Sequence, residues 1–291
     1  MKFITSLSLA AALFSPAVFA GHVNTVASFS VLGDIVKEVG GDHVTVTTLV
    51  GPDGDPHTFE PKPADSQQLH NADVVFVSGL GLEGWMNRLI TASGYKGHVI
   101  TASEGVHSRT MDDDGKTITD PHAWNSAANG AIYARNVMNA LIAADPADAE
   151  YFRQKGNAYI QTLEQLDTWA KKTFAAIPQS RRHVITSHDA FGYFGAEYGV
   201  KFLAPVGFST EAEASASDVA GLIAQIKQEK ISTYFIENQT DPRLVKQIAA
   251  ASGAKPGGEL YPEALTAPNG PAATYVAAFK HNVNAIAASM K

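Results

Sequence analysis

The sequence contains no cysteine. That excludes disulfides, thiolate metal sites and a lipid carried on an N-terminal cysteine, so an untethered protein is expected. Positive charge is also scarce: 22 Lys and Arg stand against 29 Asp and Glu, for a net charge of −7, and no basic cluster interrupts that balance. A nucleic-acid partner and a polybasic contact with a membrane surface are thereby excluded. After the N-terminus there is no apolar run long enough to span a bilayer. The opening MKFITSLSLAAALFSPAVFA carries one lysine, an apolar stretch broken by Pro16, and a small-residue site at Val18-Phe19-Ala20. It reads as a secretory signal peptide cleaved after Ala20, too short for the roughly 20 apolar residues of a span. An exported chain without an anchor belongs in a periplasm.

What is present is a large apolar fraction, 45%, over 291 residues, enough for two lobes. Short strand-like runs alternate with helical ones. VNTVAS (23–28), HVTVTTL (43–49), DVVFVS (73–78) and HVIT (98–101) read as strands, and after residue 180 so do HVITS (183–187), VKFLAPV (200–206) and STYFIE (232–237). VLGDIVKEVG, ASDVAGLIAQIKQEK, PRLVKQIAAASG and PAATYVAAFKHNVNAIAASM read as helices. This alternation predicts parallel sheets with crossover helices. Between the two blocks, the segment from Pro146 predicts one helix of about thirty residues, capped by Asp145 and stopped before Pro178, which at 1.5 Å per residue is about 45 Å long. The expected division is a leader 1–20, an N-terminal lobe 21–145, a linking helix 146–177 and a C-terminal lobe 178–291. A single helical crossover favours small relative movements of the lobes.

Ligands of open α/β sheets bind beyond the carboxyl ends of the strands, and three of the ten histidines fall in loops of that kind. His57 lies in GPDGDPHTFEP (51–61), His122 in TDPHAW, and His188 directly after HVITS. Asp-Pro precedes both His57 and His122. Proline fixes its own φ and restricts the residue before it, so each imidazole is mounted on a stiff turn, as a metal ligand requires. Asp55 and Asp120 are placed to cap those turns or to orient the rings through their second nitrogens. Two strand-end carboxylates are available as a fourth partner: Glu263 in LYPEAL, after the Gly-rich AKPGGE loop, and Glu237 at the end of STYFIE, which alternatively supports a ligand from behind. Asp189 beside His188 is a poor candidate, because neighbouring side chains at a helix start rarely face one ion. Three imidazoles suit a divalent transition ion, zinc above all.

Six stretches carry a family likeness: GPDGDPHTFEPKPAD, TDPHAW, ITSHDAFGYFGAEYGV, GFSTEAEASASDVAGLIAQIK, ENQTDPRLVKQIA and LYPEALTAPNGPAATYVAAFKHNV. In this order they resemble the zinc- and manganese-binding solute-binding proteins of bacterial ABC importers, over essentially the whole mature chain. The resemblance implies an α/β fold of two Rossmann-like lobes with parallel sheets, joined by one rigid helix, with metal in the cleft. It implies His57, His122, His188 and Glu263 as ligands, the last where the family usually has aspartate. It implies Zn2+ as cargo, with Mn2+ as the alternative, a membrane permease as partner, and a periplasmic metallochaperone as a further one. The zinc members often carry a long His-rich loop before the second histidine; here GVHSRTMDDDGKTITD is short and reads as a solvated acidic loop. A monomer is expected. The rival from another class is a zinc hydrolase with water as fourth ligand and Glu263 or Glu237 as general base, although no HExxH pattern supports it. A surface adhesin is a weaker third reading.

Overall fold

The computed structural model describes residues 22–113, 115–207, 210 and 214–291. The expected leader, 1–20, lies outside the described residues. The chain opens with β1 (Val23–Phe29), buried at every position except Asn24. A strand covered on both faces is what a parallel sheet between helical layers demands. Next come α1 (Ser30–Gly40), β2 (Val44–Val50), α2 (Pro63–His70), β3 (Val74–Val77), α3 (Met86–Ser93) and β4 (His98–Thr101). The sheet order is β2-β1-β3-β4, all parallel. A hairpin of β5 (Thr110–Asp113) and β6 (Lys116–Thr119) leads to α4 (Ala127–Ala144) and α5 (Ala149–Ala175). The second lobe holds β7 (His183–Ile185), α6 (Gly192–Tyr198), β8 (Lys201–Leu203), α7 (Ala216–Glu229), β9 (Thr233–Glu237), α8 (Arg243–Ser252), β10 (Lys255–Leu260) and α9 (Tyr275–Ser289). Its sheet order is β10-β9-β7-β8, again parallel. In each lobe the first strand therefore lies between the second and the third. Strand order reverses between β1 and β3 in one sheet and between β7 and β9 in the other, and loops at such switch points border ligand crevices.

The α/β class with two parallel-sheet lobes is as the sequence implied. Polar residues begin the helices that matter for the site. Ser126 accepts from the Asn129 amide at 3.3 Å to start α4, and Thr274 accepts from the Ala277 amide at 3.2 Å to start α9. The lobes are not independent. One apolar core runs from Phe29 and Leu32 of the first lobe through Trp124, Phe152 and Phe174 to Phe194 and Phe279 of the second. A smaller core of Ile185, Ile226, Ile231, Val245 and Ile248 sits behind the second sheet. Pulling the lobes apart would expose part of the shared core at about 25 cal/mol per Å2, which opposes wide opening.

Several sequence expectations are corrected. The acidic segment read as a loop forms β5 and β6, because alternation in TMDD and KTIT is hidden by residues that strands otherwise avoid. AKPGGE, read as a loop, contributes β10, an edge strand where Pro256 and two glycines are tolerated with a register shift. The strand in 200–206 is shorter than expected, Lys201–Leu203, although Val206 makes an isolated bridge to His188. The linking helix starts at Ala149 rather than Pro146; Asp145 caps a single 3₁₀ turn first, accepting from the Ala147 amide at 3.1 Å. α5 has 27 residues, or about 40 Å. No helix among the described residues is long and apolar enough to cross a membrane.

Phe174, fully buried on α5, packs against Phe194 and Tyr198 of α6 at ring-centre distances of 5.6 and 6.3 Å. Phe174→Ala opens a cavity at the seam between linking helix and second lobe. It is expected to cost about 3–5 kcal/mol, measured as a lower midpoint in denaturant unfolding of the metal-free protein; an unchanged midpoint would contradict a shared core.

Candidate metal centre

His57 sits in the turn after β2. Its amide donates to Asp55 Oδ1 at 2.8 Å, closing the turn, and Thr210 donates to the other Asp55 oxygen. The carbonyl of Pro56, one residue before His57, accepts from the Trp85 indole at 2.8 Å. The Asp53 amide donates to the Leu265 carbonyl at 2.9 Å, and Asn238 donates to Asp53 at 2.8 Å, so this first-lobe turn is tied to the second lobe.

His122 follows β6 and is fully buried. Its amide and ring Nδ1 lie 3.0 and 2.9 Å from Asp120 Oδ1, while Arg109 donates to Asp120 Oδ2 at 2.7 Å. His188 follows β7, and its ring Nδ1 lies 2.5 Å from Glu237 Oε2. The other Glu237 oxygen accepts from the Ser187 and His188 amides at 2.9 and 3.2 Å. Asp120 and Glu237 thus occupy one nitrogen of each ring and leave Nε2 facing inward, the arrangement that fixes tautomer and direction in metal-ligating histidines. Asp55 holds the backbone of its histidine. Asp189 donates its amide to the carbonyls of Val206 and Gly207.

Glu263, in the loop after β10, completes the group. The donor atoms of His57, His122, His188 and Glu263 all lie within 4.8 Å of one another. His57 Nε2 is 3.2 Å from His122 Nε2 and 3.2 Å from Glu263 Oε1; His122 Nε2 is 3.4 Å from the same oxygen, which His188 Nε2 also contacts. Four donors at zinc distances of 2.0–2.1 Å in a tetrahedron stand about 3.4 Å apart, so the set fits one shared ion. Glu263 Oε2 is buried and has no hydrogen-bond partner among the described residues. A buried carboxylate oxygen left without a donor is costly, and a cation removes that cost.

The electrostatics agree. The side chains of His57 and Glu263 are 2% and 0% exposed. Burial works against the carboxylate of Glu263, but the adjacent His57 and His188 hold it well below the ordinary glutamate range. Burial likewise works against charged imidazoles, yet Glu237 and Glu263 push His188 well above the ordinary histidine value, and Asp120 and Glu263 raise His122. Asp120, although burial acts to raise it, is lowered by His122 and Arg109. Three carboxylates therefore face three imidazoles in a dry space with one arginine at the edge. Protons on the rings, or one divalent cation, balance that charge. Glu263 turns one oxygen towards the three rings, and Glu237 is bonded behind His188.

The sequence did not single out Trp85, Trp124, Arg109 or Asn238. Trp124 donates to the Pro262 carbonyl at 2.7 Å, one residue before Glu263. Each of these two tryptophans therefore grips the proline that precedes a member of the cluster. The signal was present in their rarity, three in the chain, and in the placement of one within TDPHAW.

The zinc-uptake complex component A (periplasmic) family matches residues 25–289. The manganese-binding lipoprotein MntA of Bacillus subtilis is 33% identical over 93% of this chain and 90% of its own. The iron ABC transporter substrate-binding lipoprotein MtsA of Streptococcus pyogenes is 32% identical over 91% of this chain and 87% of its own. Among solved structures, the periplasmic zinc-binding protein TroA of Treponema pallidum superposes with a TM-score of 0.87 at 30% identity, covering 93% of this chain and 99% of that one. A Mn-bound periplasmic metal-binding protein of Candidatus Liberibacter asiaticus gives 0.86 at 30%, covering 92% and 100%. One expectation falls here. The reading of an untethered periplasmic protein rested on the absence of cysteine from this sequence, whereas MntA, MtsA and the FimA protein of Streptococcus parasanguinis are all named as lipoproteins, which points to membrane attachment in this group. The chain belongs to the zinc-uptake complex component A family, the divalent-metal-binding, non-enzymatic substrate-binding components of ABC importers.

Proposed function

We propose that His57, His122, His188 and Glu263 bind one zinc ion as cargo, which the protein then delivers to a membrane permease. The observation that carries this reading is the convergence of three Nε2 atoms and one carboxylate oxygen in a buried cleft, with Asp120 and Glu237 orienting two of the rings. We divide the chain accordingly into a lobe at 21–145, a linking segment at 146–177 and a lobe at 178–291, each lobe contributing two of the four ligands. Imidazole-rich sets favour zinc, whereas manganese favours oxygen-rich sites of higher coordination number.

Manganese is the second reading, and one feature favours it. The unpartnered Glu263 Oε2 makes a two-oxygen mode accessible, which raises the coordination number. MntA is named as manganese-binding and TroA as zinc-binding. The shared core supports capture with modest movement of the lobes. Binding exchanges ring protons for the ion, because ligands must be deprotonated.

Three outcomes are expected. In chelator competition, His57→Ala weakens zinc by more than about 100-fold, whereas Glu237→Gln, which removes only the acceptor behind His188, costs roughly 10–100-fold; wild-type affinity in His57→Ala would remove it from the ligand set. Direct competition at equal concentrations leaves zinc bound and manganese free, and the reverse would make manganese the native cargo. Raised His122 and His188 values mean that both rings keep their second proton to higher pH than a free imidazole in the metal-free state and must lose it on binding, so affinity falls as pH falls. Calorimetry in buffers of different ionisation enthalpy should show proton release, and an enthalpy independent of buffer would refute the exchange.

A further inference from the structure

A groove of about 690 Å3 lies between α2 and α3 on the first lobe, away from the metal cluster. Its rim carries Lys62 and Arg88, and its walls include Pro61, Pro63 and Leu89. None of its lining residues is acidic, in a chain where acids outnumber bases 29 to 22. Among the described residues neither Lys62 nor Arg88 has a side-chain ion pair. Asp65, the nearest acid on α2, is occupied by the Lys62 amide at 2.6 Å. His70 is likewise engaged, its Nδ1 3.0 Å from the Ser93 carbonyl. Two exposed cations thus stand over a concave, partly apolar surface with nothing of opposite sign within it.

The floor connects this groove to the cargo. Trp85 lines it, is 3% exposed, and donates its indole hydrogen to the Pro56 carbonyl at 2.8 Å, one residue before His57. Phe59, two residues after His57, packs on the same indole with ring centres 4.8 Å apart. Trp85 therefore joins the groove floor to the turn that carries His57.

We propose that the α2/α3 groove is the docking site for an extended acidic segment of the importer's membrane component, which seats between Lys62 and Arg88 and acts on His57 through Trp85. This rests on the importer reading above, which supplies a membrane partner that must take the ion. A segment of protein fits better than a lipid surface: polybasic membrane contacts use clusters of about 4–8 cations on a convex or flat face, whereas here two cations flank a groove. Charge complementarity of this kind sets encounter rate and register, and its loss is read in association.

The test is importer-dependent uptake of radioactive zinc by cells in which the native copy is replaced by wild type, Lys62→Glu/Arg88→Glu, Lys62→Gln/Arg88→Gln or His57→Ala, alongside chelator competition and thermal unfolding of each purified protein. The charge-reversed pair is expected to keep wild-type zinc affinity and midpoint while uptake falls at least tenfold. The neutral pair should show a smaller fall; it also covers the case in which the reversed pair folds poorly. Wild-type uptake in the folded charge variants, with His57→Ala abolishing uptake, overturns the groove and leaves the transport reading intact. Undiminished uptake in His57→Ala overturns the transport reading itself. Binding of wild type, but not of the charge-reversed pair, to phosphatidylglycerol vesicles assigns the groove to lipid and likewise overturns the proposal.

Discussion

A carboxylate removed from water among imidazoles is the constraint around which this molecule is arranged. Glu263 is fully buried, touches three rings through one oxygen and leaves the other without a donor. A lone charge in such a place would shift its proton equilibrium or unfold its surroundings. Here the neighbouring rings lower its proton affinity, and the carboxylates beside two of those rings raise theirs in turn. The cluster is stable as a set, and the removal of any member leaves the others unbalanced. A divalent ion can replace the protons because it supplies the same charge at the same point.

Hydrogen bonds between distant segments fasten the loops around that cluster. The loops that carry His57, His188 and Glu263 leave from the ends of β2, β7 and β10, and His122 follows β6. The loops are then fastened to each other. Trp85 holds Pro56, Trp124 holds Pro262, Ser30 accepts from the Leu265 amide at 2.9 Å, and Asn238 bridges Asp53 to the Ala264 carbonyl. Tyr275 at the start of α9 donates to the Trp124 carbonyl, and its amide donates to Asp34 of α1 at 2.7 Å. Most of these bonds cross between segments more than a hundred residues apart. They make the cleft part of the same structure as the shared core, in keeping with one long helix between lobes instead of a flexible hinge.

Relatives near 30% identity carry names that cite manganese, iron or zinc, so the frame itself does not select the ion. In this chain the cluster consists of three imidazoles, His57, His122 and His188, and one carboxylate, Glu263.

The sequence by itself determined the alternation of strands and helices, the long helix and the two Asp-Pro-His turns, because period and proline chemistry are local and survive without the rest of the molecule. It also marked His188, at the end of a strand pattern, and Glu263, after a Gly-rich segment and before the last helix. It missed the hairpin at 110–119 and the strand at Lys255–Leu260, where aspartates, proline and glycines obscure the period and edge pairing decides. Only the tertiary structure decided that Asp120 and Glu237 stand behind rings while Asp55 holds a turn, since two carboxylates preceding histidines by the same spacing look identical in sequence. Only it placed Trp85 and Trp124 against the prolines of distant loops, for a hydrogen bond between residues 124 and 262 leaves no local trace. Geometry across the cleft is a property of packing, and packing is where a buried charge finds or lacks its partners.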